Sequence, residues 1–275
     1  MPQLRWFDSG SLAVVDWHCP GAALGAGVEE CAATWEVSIG RAGSHAIRSR
    51  EGELVVERTQ LWCVNAGEVF RPVRRVLGLD RRTRIMLTAD AMRDLVGEAC
   101  APRFRARTTP LTAWGALAHD AMLRHAADRD ELAVHALALA LAGHAVRAGA
   151  PLAERPAPSV RDAVRAVQEL LVRRYAEPLT LAVLAAHAAL SPWHLSRRFR
   201  AYVGLGIHQY RTRLRLLAAL DQIRDARRPD LTRIAFEVGF SSHSHLTRAF
   251  RAFFRVPPSR IAAARVDRAM VTGVP

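Results

Sequence analysis

The sequence predicts an α+β protein in two parts: a β-barrel or sandwich with attached helices, then an all-α domain. Three observations carry that prediction. Short apolar runs separated by turn residues fill residues 1–88. Two segments further on repeat one helix, turn, helix pattern. The charge is also lopsided. The 275-residue chain has a formal net charge of +13, yet residues 159–268 hold 20 Arg against 8 acids while residues 1–157 hold 19 Arg against 18. A solvated surface explains high charge but not this asymmetry, whereas a phosphate-binding module explains both. There is no Lys, so every basic chain is Arg.

In the first part, Trp35–Ile39 alternates, and Glu53–Glu57 and Leu61–Val64 are short apolar runs. Gly40, Gly43, Gly52 and Asn65-Ala66-Gly67 supply turns at about ten-residue spacing, the rhythm of an antiparallel sandwich or barrel. From residue 89 the character changes. Ala89–Glu98, Leu111–Ala127 and Asp130–Arg147 are rich in Ala and Leu and read as helices. Asp130 can cap the third, which is almost wholly apolar from Leu132 to Ala142. Such a helix must be buried, against its own sheet or against a second subunit. Ala148–Ser159, with three Pro and no periodicity, marks a boundary. The expected domains are therefore 1–150 and 159–268, joined by a linker at 151–158.

Beyond the linker, Ser159 is expected to cap a helix to about Tyr175, with Val160, Val164, Val167 and Leu171 on one face. The repeat follows. Its second copy, Leu231–Ile261, opens with a helix over Thr232–Val238, turns at Gly239, and starts a second helix at Ser242. Leu246, Phe250 and Phe253 give that helix an apolar face, and Val256-Pro257-Pro258 ends it. The first copy, Leu181–Tyr202, matches when Ser191 is set on Ser242, which brings Leu195, Arg197, Phe199 and Arg200 onto Leu246, Arg248, Phe250 and Arg251. The opening helices align at an offset smaller by one, so the second copy has one more turn residue. A single helix, Ile207–Arg224, with Leu214, Leu217 and Ile223 apolar, joins the copies.

These residues carry a resemblance. Leu184-Ala185, Ser191-Pro192, Leu195–Phe199, Arg213–Leu216, Ile234-Ala235, Gly239–Ser242, Leu246–Phe250 and Val256–Ser259 resemble the DNA-binding half of AraC/XylS-type bacterial transcription regulators. That resemblance implies two helix-turn-helix units, each placing its second helix in the DNA major groove. It also implies that residues 1–150 form a cupin-like domain sensing an effector or pairing subunits. Three positions depart from the family pattern: Arg255 where glycine is frequent, Ile207 where proline is usual, and Ala188 in place of the residue matching Gly239.

The expected base- and phosphate-facing residues are Trp193, Ser196, Arg197 and Arg200 in the first unit. In the second they are Ser242, His243, Ser244, His245, Thr247, Arg248 and Arg251. All can hydrogen-bond base edges or phosphates, or present an aromatic face, and Arg is suited to guanine O6 and N7. The implied partners are double-stranded promoter or operator DNA, a second copy of the chain, a small-molecule effector and RNA polymerase, with activation the commoner role in the family. No enzyme activity, metal or other cofactor is expected. His18, Cys19, Cys31, His45 and Cys63 do not reproduce metal-ligand spacing. Two rivals remain: a cupin-type metal enzyme fused to a DNA-targeting domain, and a regulator that senses oxidants through Cys19, Cys31, Cys63 and Cys100. No signal peptide is legible, and no run approaches about 18 uninterrupted apolar residues. The cytoplasm, reduced thiols and no membrane contact are therefore expected.

Overall fold

A computed structural model describes residues 3–19, 25–74, 80–97, 100–148, 158–226 and 229–263. The chain divides into two compact units, Met1–Pro151 and Leu152–Pro275.

The first unit contains two antiparallel sheets. One has the order β1 (Gln3–Asp8), β2 (Leu12–Cys19), β10 (Asp80–Leu87), β5 (Trp35–Ala42), β8 (Gln60–Val64) and β11 (Thr108–Pro110). The other has the order β3 (Gly25–Ala26), β9 (Val69–Arg74), β6 (His45–Ser49) and β7 (Gly52–Val56), with β4 (Glu30–Cys31) also paired to β9. Ile47, Val56, Trp62, Val64 and Phe70, drawn from both sheets, form one apolar cluster. The α+β expectation holds, and the three strands read from apolar runs are β5, β7 and β8.

Strand β10 was not legible because it reads Asp-Arg-Arg-Thr-Arg-Ile-Met-Leu. Its charges are matched within the unit. Arg84 donates from Nε to Glu36 at 2.8 Å, and buried Arg82 donates to Asp80 at 2.6 Å, with His45 Nδ1 3.0 Å from the same carboxyl and 2.9 Å from the Arg82 guanidinium. Arg82 also stacks on Trp17, 4.3 Å from the ring centre. Burial alone would raise the Asp80 pKa, but the Arg82 charge and the His45 hydrogen bond outweigh it. They hold the carboxyl well below the usual carboxylate range.

Three helices follow: α1 (Ala89–Val96), α2 (Ala113–Ala127) and α3 (Glu131–Arg147). Asp130 caps α3, accepting from the Ala133 N–H at 3.1 Å. The apolar face of α3 packs on α1, α2 and strands β1, β2 and β5 of its own unit. The burial that its composition demands is thus met within the chain, though Leu132 stays 70% exposed.

In the second unit, α4 (Pro158–Arg174) starts one residue before the expected cap at Ser159. Of the expected linker at 151–158, residues 151–157 lie outside the described residues and Pro158 already belongs to α4, and the expected end of the domain at 264–268 also lies outside them. Then come α5 (Leu181–His187), α6 (Pro192–Val203), α7 (Ile207–Asp225), α8 (Leu231–Glu237), α9 (His243–Phe254) and α10 (Pro258–Ala263). Val164, Val167 and Leu171 of α4 share a core with Leu184, Leu195, Phe199, Tyr210 and Leu214. Each such side chain contributes about 1.5–3 kcal/mol by leaving water. Helix α7 serves both halves. Tyr210 and Leu214 near its start complete this first core, and the helix also packs on α8, α9 and α10. There Leu217, Leu220 and Ile223 are buried, as are Ile234, Leu246, Phe250, Phe254 and Ile261. The buried stripe of α9 therefore runs at spacings of four, through Phe254. Phe253, expected in the core, is only half-buried and lies 5.3 Å below the Arg213 guanidinium.

Candidate nucleic-acid interface

Each unit starts its second helix in the same way. Ser191 Oγ accepts from the His194 N–H at 3.3 Å, and Pro192 takes the first helical position, where no N–H is needed. Ser242 Oγ accepts from the His245 N–H at 3.1 Å. The opening helices are capped too, α5 by Thr180 and α8 by Asp230. Between the helices lie residues 188–191 in one unit and 238–242 in the other, so the second turn has the expected extra residue.

The turns impose one backbone requirement on both units. Gly239 has φ +91° and hydrogen-bonds back to Phe236 O, while Ala189 has φ +51° and bonds back to Ala186 O. Ala189, not Ala188, is therefore the counterpart of Gly239. Ala188 has an ordinary φ of −89°. The misassignment came from carrying the offset of the second helices into the turn, where the extra residue has not yet been added. A second requirement sits at the far end of α6 and α9. Gly204 meets it with φ +78° and Arg255 with φ +63°, so an arginine occupies a left-handed cap where glycine is favoured.

The two helices present polar faces. Trp193, Arg197 and Arg200 are exposed on α6, with Ser196 half-buried; Leu195 and Phe199 face inward. On α9, His243, Ser244, His245, Arg248 and Arg251 are exposed, and Ser242 at its cap and Thr247 are half-buried. All eleven expected residues thus reach solvent, on α6, on α9 or at the α9 cap. Arg197 lies 5.5 Å from the Trp193 ring centre, supporting a guanidinium that still projects outward. His243 Nε2 is 3.3 Å from Thr247 Oγ1. His245 does not pack into the core beside Leu246: its Nδ1 is 3.0 Å from Ser241 Oγ and its ring meets Phe240 edge-on. Among the described residues no carboxylate forms an ion pair with Arg197, Arg198, Arg200, Arg248 or Arg251, leaving those charges available to an external anion.

Sequence reasoning missed the arginines of α7. Arg215 donates from Nε to Tyr175 O at 2.7 Å, and Arg211 donates to Leu179 O at 2.7 Å. Their spacing of four on a helix with a buried side was the available signal. Elsewhere, among the described residues, no cluster of three His, Cys, Asp or Glu is arranged to hold a metal ion. Cys31 and Cys100 are exposed and free, Cys63 is buried and free, and the Cys19 side chain lies outside the described set. Among the described residues no helix is long and apolar enough to cross a membrane.

Residues 184–264 match the model of a helix-turn-helix domain family. Over 83 residues the chain is 31% identical to the multiple antibiotic resistance protein MarA of Escherichia coli (strain K12), a match covering 30% of this chain and 65% of MarA. A protein of Streptomyces lividans named as an AraC-like transcription regulator is 41% identical over 88 residues, covering 32% of this chain and 29% of that one. The chain thus spans less than two thirds of the length of either relative. Fatty-acid-bound ToxT of Vibrio cholerae superposes over 97% of this chain and 98% of its own, but with 10% identity and a TM-score of 0.36, too low to constrain anything here. The helical pattern, the two capped turns and the matched relatives agree: residues 184–264 form an AraC-type helix-turn-helix domain.

Proposed function

We propose that the protein is a sequence-specific transcription regulator that reads DNA with α6 and α9 together. The observation that carries this reading is the pair of matched helix faces, each combining arginines free of described acids with an aromatic or hydroxyl group. The arginines supply salt-dependent phosphate affinity. Trp193, Arg197, His243 and Arg248 supply the choice of sequence. Two such helices suit successive major grooves, roughly 34 Å apart on one face of B-DNA. The N-terminal unit modulates that binding by holding a small effector or a second copy of the chain. Activation, through contact with RNA polymerase in the cytoplasm, is the role carried over from the family resemblance.

The test is selection of bound sequences from a random duplex pool by the full-length protein at near-physiological salt. The expected result is one motif with two short blocks about one helical turn apart. Enrichment of a single block would show that only one helix reads bases. No enrichment, with salt-sensitive binding retained, would reduce the domain to a phosphate binder.

A further inference from the structure

The segment between α4 and α5, residues 175–180, is short, and its backbone is held from two sides. From α7, Arg215 reaches three consecutive carbonyls: Tyr175 O at 2.7 Å from Nε, and Ala176 O and Glu177 O at 3.4 Å from Nη2. One turn earlier on the same helix, Arg211 donates to Leu179 O at 2.7 Å. From the second helix-turn-helix, Gly239 presses on the same turn. A Cβ built at Gly239 would lie 2.7 Å from Ala176 Cα and 2.9 Å from its carbonyl carbon. The next residue, Phe240, lies under the Arg215 guanidinium at 5.9 Å.

One guanidinium therefore touches the turn that launches the first unit, the shared helix, and the turn of the second unit. Helix α7 alone would join the two units end to end, and a single helix bends. A second tie away from the helix axis converts a rod into a braced frame. Arg suits the task because its planar fork can hold several carbonyl acceptors at once. Half-burial lowers its pKa to about 10, with the Arg211 charge adding to the effect, so it stays protonated at neutral pH.

We propose that the α4–α5 turn is a joint, locked by Arg215 and at its edge by Arg211, that fixes the separation and rotation of the two recognition helices. It thereby sets the spacing at which two DNA blocks are read. Arg215 is on this account a positioning residue for specificity, distant from any base. The proposal rests on the reading that both helices contact DNA.

The experiment compares full-length native protein with Arg215→Ala, Arg215→Lys and Arg211→Ala. Each is titrated against the selected two-block duplex, against versions with about one or two base pairs added or removed between the blocks, and against single-block duplexes. Urea melts verify folding. Native protein should lose roughly tenfold or more in affinity at altered spacing, equivalent to about 1.4 kcal/mol. Arg215→Ala should keep single-block affinity but lose most of that spacing penalty, with Arg211→Ala intermediate. Arg215→Lys should recover only part, lacking the fork. If Arg215→Ala lowers stability or overall affinity while the spacing penalty stays native, Arg215 merely stabilises the fold and the proposal is overturned. A native protein that reads only one block refutes the two-helix reading itself, and the joint then has nothing to space.

Discussion

Ala189 and Gly239 occupy equivalent turn positions, and exchanging their residue types should move stability in opposite directions. In Gly239→Ala, φ +91° places an L residue in left-handed backbone, costing about 1–2 kcal/mol. The new Cβ would also press on Ala176 backbone that Arg215 holds, and overpacking of this kind costs about 1–3 kcal/mol. Alanine restricts the unfolded chain, which returns about 0.4–1 kcal/mol. The net loss is about 1–4.6 kcal/mol, a large share of a typical domain's stability. In Ala189→Gly the strain of φ +51° is relieved and the methyl lost is exposed, so no packing is given up. Relief of about 1–2 kcal/mol, less the same unfolded-chain term, leaves a net gain of about 0–1.5 kcal/mol. The assay is urea unfolding of the full-length variants followed by far-ultraviolet circular dichroism, reading the transition of the helical unit. The reasoning fails if Gly239→Ala unfolds at the native midpoint, or if Ala189→Gly unfolds distinctly earlier.

Four further outcomes are expected. Arg248→Ala should cost about 1–3 kcal/mol of specific binding and relax one base position, with folding intact; equal loss on specific and random DNA would rule out base reading. Arg198→Ala should weaken binding to both kinds of DNA alike and reduce the slope of log affinity against log salt by about one, because Arg198 is exposed one step round from the row proposed to face bases. Asp80→Asn leaves buried Arg82 without its carboxylate and should destabilise the N-terminal unit by about 3–5 kcal/mol. In the native protein the Asp80 contribution is present above the ordinary carboxylate range, because the folded pKa is depressed, and acid melts should show it lost as pH falls. Burial pushes the Cys63 thiol up to about 12, so alkylation mapped by mass spectrometry near pH 8 should label Cys31 and Cys100 in the folded protein and Cys63 only after urea.

What the sequence revealed, and what it hid, follows from which signal each element depends on. The helices of the second unit were legible because their caps, turns and apolar stripes are local: Ser191, Ser242 and Pro192 announce helix starts wherever they fold. The eleven expected interface residues could be placed outward by counting from Leu195, Phe199, Leu246 and Phe250. The Phe253 assignment failed because Phe253 and Phe254 fit the helical period almost equally, and contact with α7 and α10 decides between them. Strand β10 was hidden for another reason. Its charged run lacks an apolar signal until Glu36 and His45, distant in sequence, are known to face Arg84 and Arg82. The joint at Tyr175–Leu179 was invisible because its partners are backbone carbonyls, which every residue has.

Arginine, the chain's sole basic residue apart from histidine, works in three settings, and their contrast links composition to function. In the first unit Arg82 and Arg84 sit against carboxylates within the sheet, so their charge is cancelled where it arises. That matches a segment with nearly as many acids as arginines. At the joint, Arg211 and Arg215 spend their donors on backbone carbonyls, which stiffens the frame without neutralising the charge. On α6 and α9 the arginines face neither, and the excess of positive charge is left on the surface that would meet phosphate. Charge asymmetry along a sequence therefore indicates more than total basicity. Among the described residues, the arginines without an internal carboxylate include Arg197, Arg198, Arg200, Arg248 and Arg251, on the two helices whose caps and turns aim them outward.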